Sequence, residues 1–203
     1  MNDTLKTIYD RRAVRKYKHL PVMEELIDIL LSAGRMAPSA MNKQPWKFYV
    51  LHTKDKIKTF SHEIMKAAAK QIKHTSPGDI FRNLSAFHLS DIVDFFLGDN
   101  DPIFHSAPVV IFITSPKDDE WAALDIGMCA QNIMLAAKSM GMDSCPIGLA
   151  KFAMEAGIYP ELHIPSSEMV HLAIALGYGN EQPEVHKRIQ DNVVYLDERS
   201  SRH

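Results

Sequence analysis

The sequence predicts a fold that mixes helices with strands, α/β or α+β, and two observations carry that reading. The stretch APVVIFIT at residues 107–114 is a short continuous apolar run bounded by Pro108 and Pro116, the pattern of a central strand buried on both faces. Other strand-like runs, at residues 46–51 and Glu168–Gly177, are separated from it by long segments with helical apolar spacing, which disfavours an all-helical fold. At 203 residues the chain has room for one domain with a full core and too little for two with a linker.

Taken in order, Asp3 or Thr4 can cap a short helix whose Leu5, Ile8 and Tyr9 share one face. The run RRAVRKY follows, with Arg11, Arg12, Arg15 and Lys16 as four cations in six residues; it reads either as a solvated face or as an anion site. Residues 23–35 form a helix with Leu26, Ile27, Leu30, Leu31 and Gly34 on one side, acidic at its start and closed by Arg35, as the helix dipole favours. Pro38 stops that helix near Met36. The polar residues Ser39, Asn42, Lys43 and Gln44 then make a connection, and Pro45 leads into the aromatic strand beginning at Trp46. This stretch reads equally as a connector or as a ligand-binding loop. Lys54–Lys73 is a helix that buries Ile57, Phe60, Ile64, Ala67 and Ala68 and is basic on its other side.

Residues 74–105 carry no clear period but are too apolar for disorder, and read as an insertion with one or two short helices, either a lid or substrate-pocket wall or plain core packing. Asp118 and Asp119 open a long helix through Met140, with Gly141 just past its end. That helix is apolar on two faces, Ile126, Ala130, Ile133 and Ala137 on one and Leu124, Met128 and Leu135 on another, so it belongs in the core or in a subunit interface. Its Asp125, Gln131 and Asn132 then need polar partners. Residues 143–149 read as a strand or turn, residues 150–156 as a short helix, and residues 193–196 as a last strand.

Composition narrows function. A formal charge of -2 gives no reason to expect nucleic acid or an anionic membrane as partner, and no run approaches the ~20 apolar residues of a membrane span. Cys129 and Cys145 lack metal or disulfide spacing and fit a reducing cytoplasm, and no leader segment is expected. The ten histidines form no HExxH or tight cluster, and GxSxG, GxGxxG and GxxxxGK[ST] are missing, so neither hydrolytic nor metal chemistry is expected. Cys145 beside Pro146 has no neighbouring base to make it a nucleophile.

What remains is a pattern spread over the chain: RRAVRKY, APSAMNKQPWKF, DIGMCAQNIMLAAKSMGM, CPIGL, LAIALGYG and a basic pair near the end. Together these resemble the nitroreductase family of FMN-dependent oxidoreductases, from about Leu5 to Leu196 and least between residues 74 and 105. The resemblance implies an α+β, three-layer fold around a mainly antiparallel sheet. It also implies a homodimer with FMN at the interface, and hydride transfer from NADH or NADPH through FMN to a nitroaromatic, quinone or similar acceptor. An oxidase or flavin-fragmenting enzyme on the same fold, and a flavin-binding sensor without turnover, are the alternatives.

Residue by residue, the resemblance assigns Arg11 to the FMN phosphate, with Arg12 beside it, and Arg15 to flavin N1 and O2. Ala13 stands where the family commonly has serine, so one hydroxyl contact is missing. Arg188 closes on the phosphate, with His186 or Lys187 as a second contact. Pro38, Ser39, Ala40 and Asn42 resemble the loop that reaches the partner subunit's flavin, anchored by Gln44, Pro45 and Trp46. Pro146, Ile147, Gly148 and Leu149 match the segment whose backbone N–H groups address N5 and O4. Met41 is a candidate for bordering the substrate face. No side chain is assigned a catalytic proton transfer, because the cofactor carries the chemistry.

Overall fold

Strand β2, Val109–Pro116, is the hub of the architecture, as its unbroken apolar run requires. It lies between β1, Lys47–Leu51, and β4, Glu168–Gly177, and β4 in turn carries β3, Asp143–Ile147, at the far edge. Every neighbouring pair is antiparallel. The structure is a computed structural model that describes residues 1–73 and 101–196.

The side chains of β2 alternate between two cores. Val109, Ile111 and Ile113 pack with α2, Glu24–Arg35, and α4, Ala122–Ser139, whereas Val110 and Phe112 pack with α3, Lys54–Lys73, and the short 3-10 segment Gly148–Glu155. Helices therefore cover both faces of the sheet, giving the expected three-layer α+β arrangement. Ile111, Phe112 and Ile113 are each fully buried, a contribution of roughly 1.5–3 kcal/mol per side chain. A bulge between Ile113 and Thr114 resets the register of β4, so that Val170 and Ala173 both reach the α3 side.

Helices α2 and α4 approach closely at Gly34, where an added Cβ would lie 2.7 Å from Ile133 Cγ1. This explains a glycine inside a helix, which otherwise weakens it. In α4, Ile126, Ala130, Ile133 and Ala137 are buried as one stripe, while Leu124 is 59% exposed.

Several elements differ from expectation in detail. Helix α1, Asp3–Asp10, is capped by Asn2, whose side chain accepts from Leu5 N at 2.9 Å, rather than by Asp3 or Thr4. An Asx residue one position earlier satisfies the same free N–H. Its Leu5, Ile8 and Tyr9 share a face that this chain leaves exposed. Helix α4 starts at Ala122 because Asp119 caps a preceding turn through Trp121 N at 3.0 Å. The short helix expected at residues 150–156 is a 3-10 helix, Gly148–Glu155, with Ala156 as its cap, and residues 193–196 are exposed chain without strand pairing. Of the expected insertion, residues 74–100 lie outside the described residues. Ile103 and Phe104 are core, tied by their backbone N–H groups to Asp101 Oδ1.

Candidate functional site

The basic run leaves α1 in extended conformation and lies along the free edge of β3. Ala13 forms a parallel bridge with Ser144, and Val14 N donates to Ser144 O at 3.1 Å. Two buried side chains, Val14 and Tyr17, pin the run to the sheet, and the Tyr17 hydroxyl donates to Val14 O at 2.7 Å. The chain leaving β4 then runs back beside it. Tyr17 bridges Gly179, Lys18 N donates to Tyr178 O at 2.8 Å, and Asn180 N donates to Lys16 O at 2.8 Å. Glu181 Oε1 accepts from Arg15 N. Gly177 is required at this crossing, since a Cβ there would meet Pro108 Cδ at 2.6 Å. This pairing is what carries Arg188, distant in sequence, back to Arg11.

The charge at that meeting point is concentrated. Burial, then the guanidinium groups of Arg12 and Arg188, push Arg11 below its ordinary pKa. Arg11 Nη1 is buried without a hydrogen-bond partner, and so is the hydroxyl of Ser144, the residue bridged to Ala13. A donor buried without a partner among like charges is costly unless an anion completes it. The residues present therefore fit a phosphate group. Arg12 is turned elsewhere: its Nη1 donates to Arg11 O at 2.8 Å and also reaches Tyr9 O, closing the end of α1. Arg188 Nη1 donates to His186 O at 3.2 Å on the exposed strap, with Lys187 between them.

Beyond Ser144, β3 delivers the second backbone group. Ile147 is buried, Leu149 packs against the core on the α3 side, and Pro146 and Gly148 are exposed. A Cβ at Gly148 would meet nothing within 4 Å, so its backbone faces open space. Burial pushes the Cys145 thiol up while Arg15 and Arg11 pull it down, and its net value lies above the ordinary one. Cys129 is raised to about 12 by burial. Both are inert, neutral thiols at pH 7.

The loop after α2 carries the second group of candidate residues. Met41, Asn42 and Gln44 all hold positive φ, at 51°, 53° and 49°. Asparagine tolerates that region; Met41 and Gln44 do so at about 1–2 kcal/mol each. The turn is held by Ser39 Oγ, which accepts from Gln44 N at 2.9 Å, and by Asp125, whose carboxylate oxygens accept from Ala40 N at 3.2 and 3.3 Å. Trp46 is buried on the α2–α4 side and Pro38 lines an open groove of about 420 Å³ with Leu124, Gly127, Met128 and Gln131. Met41 is 84% exposed.

The sequence-predicted residues thus gather in two places. Arg11, Ala13 and Arg15 lie along β3, with Arg188 near Arg11 and Pro146, Ile147, Gly148 and Leu149 at and just past the end of the strand; Pro38, Ser39, Ala40, Met41 and Asn42 lie beside α4. Among the described residues no hydrogen bond or ion pair joins the two groups. Sequence reasoning missed Ser144 and Glu181, which meet the basic run only through long-range pairing, a contact that no local pattern announces.

A profile of the Nitroreductase family matches residues 8–178. The chain belongs to that family. Among its relatives, the chain is 32% identical over 201 residues to the nitrobenzene nitroreductase of Ectopseudomonas oleovorans, covering 87% of each. It is 29% identical over 208 residues to the chloronitrobenzene nitroreductase of Comamonas testosteroni, covering 92% of this chain and 91% of that one. The fold matches a nitroreductase with bound FMN from Desulfitobacterium hafniense DCB-2, with a TM-score of 0.78, 25% identity, and 97% and 100% of the two chains covered. Nitroreductases share the antiparallel sheet and its helical layers with this chain. Among the described residues no cluster of His, Cys, Asp or Glu could hold a metal ion, and no helix is long and apolar enough to cross a membrane.

Proposed function

We propose that this nitroreductase-family chain, folded as one unit, is an FMN-dependent oxidoreductase. In this reading it transfers hydride from NADH or NADPH to a nitroaromatic, quinone or similar small electrophile in a ping-pong cycle. The observation that carries the reading is the unpartnered, buried Nη1 of Arg11, gathered with Arg188 at the edge of β3, which fits a phosphate dianion. The nitroreductase relatives and the FMN-bound neighbour support it.

FMN, when bound, supplies the hydride acceptance and donation. The chain's residues bind and orient. Arg11 and Arg188 hold the phosphate, with Lys187 and the Ser144 hydroxyl beside them, while Arg12 closes the end of α1. The exposed guanidinium of Arg15 sets positive charge where electron density collects on the reduced ring. The backbone N–H groups of Ile147, Gly148 and Leu149 would address the ring edge, and the bare Gly148 keeps that approach open. Ser39, Ala40 and Asn42 belong to a second subunit's site, which makes the working unit a homodimer. The exposed apolar residues Leu5, Ile8, Tyr9 and Leu124 and the strap residues Val185, Ile189 and Leu196 offer the surface for it. Two free, buried cysteines suit a reducing cytoplasm.

The test is an absorbance spectrum of freshly purified protein followed by anaerobic mixing with NADH and, separately, NADPH. A bound flavin spectrum that bleaches with one nucleotide and returns on adding nitrobenzene or a quinone is the expected result. Colourless protein that takes up no added FMN, or flavin that neither nucleotide bleaches, overturns the reading.

A further inference from the structure

We propose that Asp125 is a positioning residue of the cofactor site, holding the Ala40 amide and with it the left-handed turn at residues 41–44. The inference rests on the reading above, in which Ser39, Ala40 and Asn42 reach the partner's FMN. Asp125 is 1% exposed, in the first turn of α4, and both of its carboxylate oxygens point at one main-chain N–H, at 3.2 and 3.3 Å. A buried carboxylate is retained when its hydrogen bond does something that a packed apolar residue could not. Here the amide belongs to a segment in which Met41, Asn42 and Gln44 are all left-handed without a glycine, a conformation that persists only if its surroundings dictate it.

The neighbouring contacts point the same way. Lys43 Nζ lies 3.6 Å from Asp119 Oδ2, just ahead of α4, and Pro38 lines one open groove together with Leu124 and Gly127 of α4. The turn is therefore fastened at the N-terminal end of α4 at two points, Asp119 and the more deeply buried Asp125. Leu124, next to Asp125 in sequence, faces outward from the same turn of helix. A second subunit settling on that exposed face and the loop reaching into its flavin site would share one rigid support. Asp125 thus links the subunit contact to the shape of the loop without touching the cofactor.

The experiment compares wild type, Asp125→Asn and Asp125→Ala, each stripped of flavin and titrated with FMN by quenching of flavin fluorescence, at a temperature where circular dichroism shows all three folded. Asparagine keeps one oxygen for the Ala40 N–H; alanine keeps none. Asp125→Ala is expected to bind FMN about tenfold or more weakly, the worth of one hydrogen bond to a charged group. Asp125→Asn should stay within about threefold of wild type on the same scale. If Asp125→Ala does not fold, Asp125→Ser, too short to reach Ala40, takes its place with the same expectation. A merely structural aspartate would lower thermal stability and leave FMN affinity of the folded protein unchanged, and that result overturns the inference while wild-type binding keeps the functional reading intact. Wild type that binds no FMN overturns both.

Discussion

Replacing Arg11 by methionine separates a binding role from a folding role, because the two predict opposite signs. Methionine keeps most of the aliphatic stem and removes a guanidinium that burial and the charges of Arg12 and Arg188 already disfavour. No hydrogen bond is lost at Nη1, since none is made. The flavin-free protein should therefore be as stable as wild type or slightly more so, with the gain shrinking in high salt as the like-charge repulsion is screened. Binding should move the other way. One charge-assisted hydrogen bond to phosphate is worth about 1.5–3 kcal/mol, so FMN affinity should fall roughly ten- to hundredfold. Thermal melting of the stripped protein at low and high salt, paired with an FMN titration, reads both quantities. Unchanged FMN affinity would refute the phosphate assignment. A loss of apoprotein stability would refute the claim that Arg11 is held there against an electrostatic cost.

Three further perturbations follow from the geometry. Glu168 is pulled up by burial, but hydrogen bonds from Thr114, Lys47 and Tyr49 outweigh it and leave its pKa below the ordinary value. Its contribution to stability is present above the unfolded carboxylate pKa of about 4.3 and is lost as pH falls through the folded value, so Glu168→Gln should be less stable at pH 7 with a deficit that closes in acid; urea midpoints across pH report it. Gly34→Val drives a side chain into Ile133 and should destabilise by about 2–3 kcal/mol in urea denaturation, with the helix signal preserved. On the proposed homodimer with a shared flavin site, Leu124→Glu on the exposed face of α4 should leave monomer stability unchanged but weaken self-association in sedimentation and release FMN at higher protein concentration than wild type.

The layers of the fold were legible because each rests on a local period. The run at 107–114 named the central strand, and the stripe Ile126, Ala130, Ile133 and Ala137 named the buried face of α4. Gly34 falls on the apolar face of its helix in the sequence, but that it lets α2 and α4 approach closely is visible only in the structure. The errors sit where a local rule had two solutions. Asn2 and Asp3 are both good caps, and the chain uses the earlier one. Residues 193–196 are β-favouring, yet strand formation needs an edge to pair with, and these residues lie exposed without pairing to one.

The candidate site could be named in the sequence as residue types but not as a place. Arg11 and Arg188 meet only because residues 15–18 and 178–181 pair, and that pairing is written in the tightness of Gly177 against Pro108 and Tyr17 rather than in any motif. A deeper ambiguity attaches to apolar pattern itself. Leu5, Ile8 and Tyr9 have the spacing of a buried helical face, as Ile126 and Ile133 do, yet the first three stand in solvent and the last two in the core. Periodicity states that a face leaves water; it does not state which chain covers it. The same spacing therefore predicts core packing where the topology folds a helix inward and subunit contact where it does not, and only the exposed remainder of α1, α4 and the strap distinguishes the two.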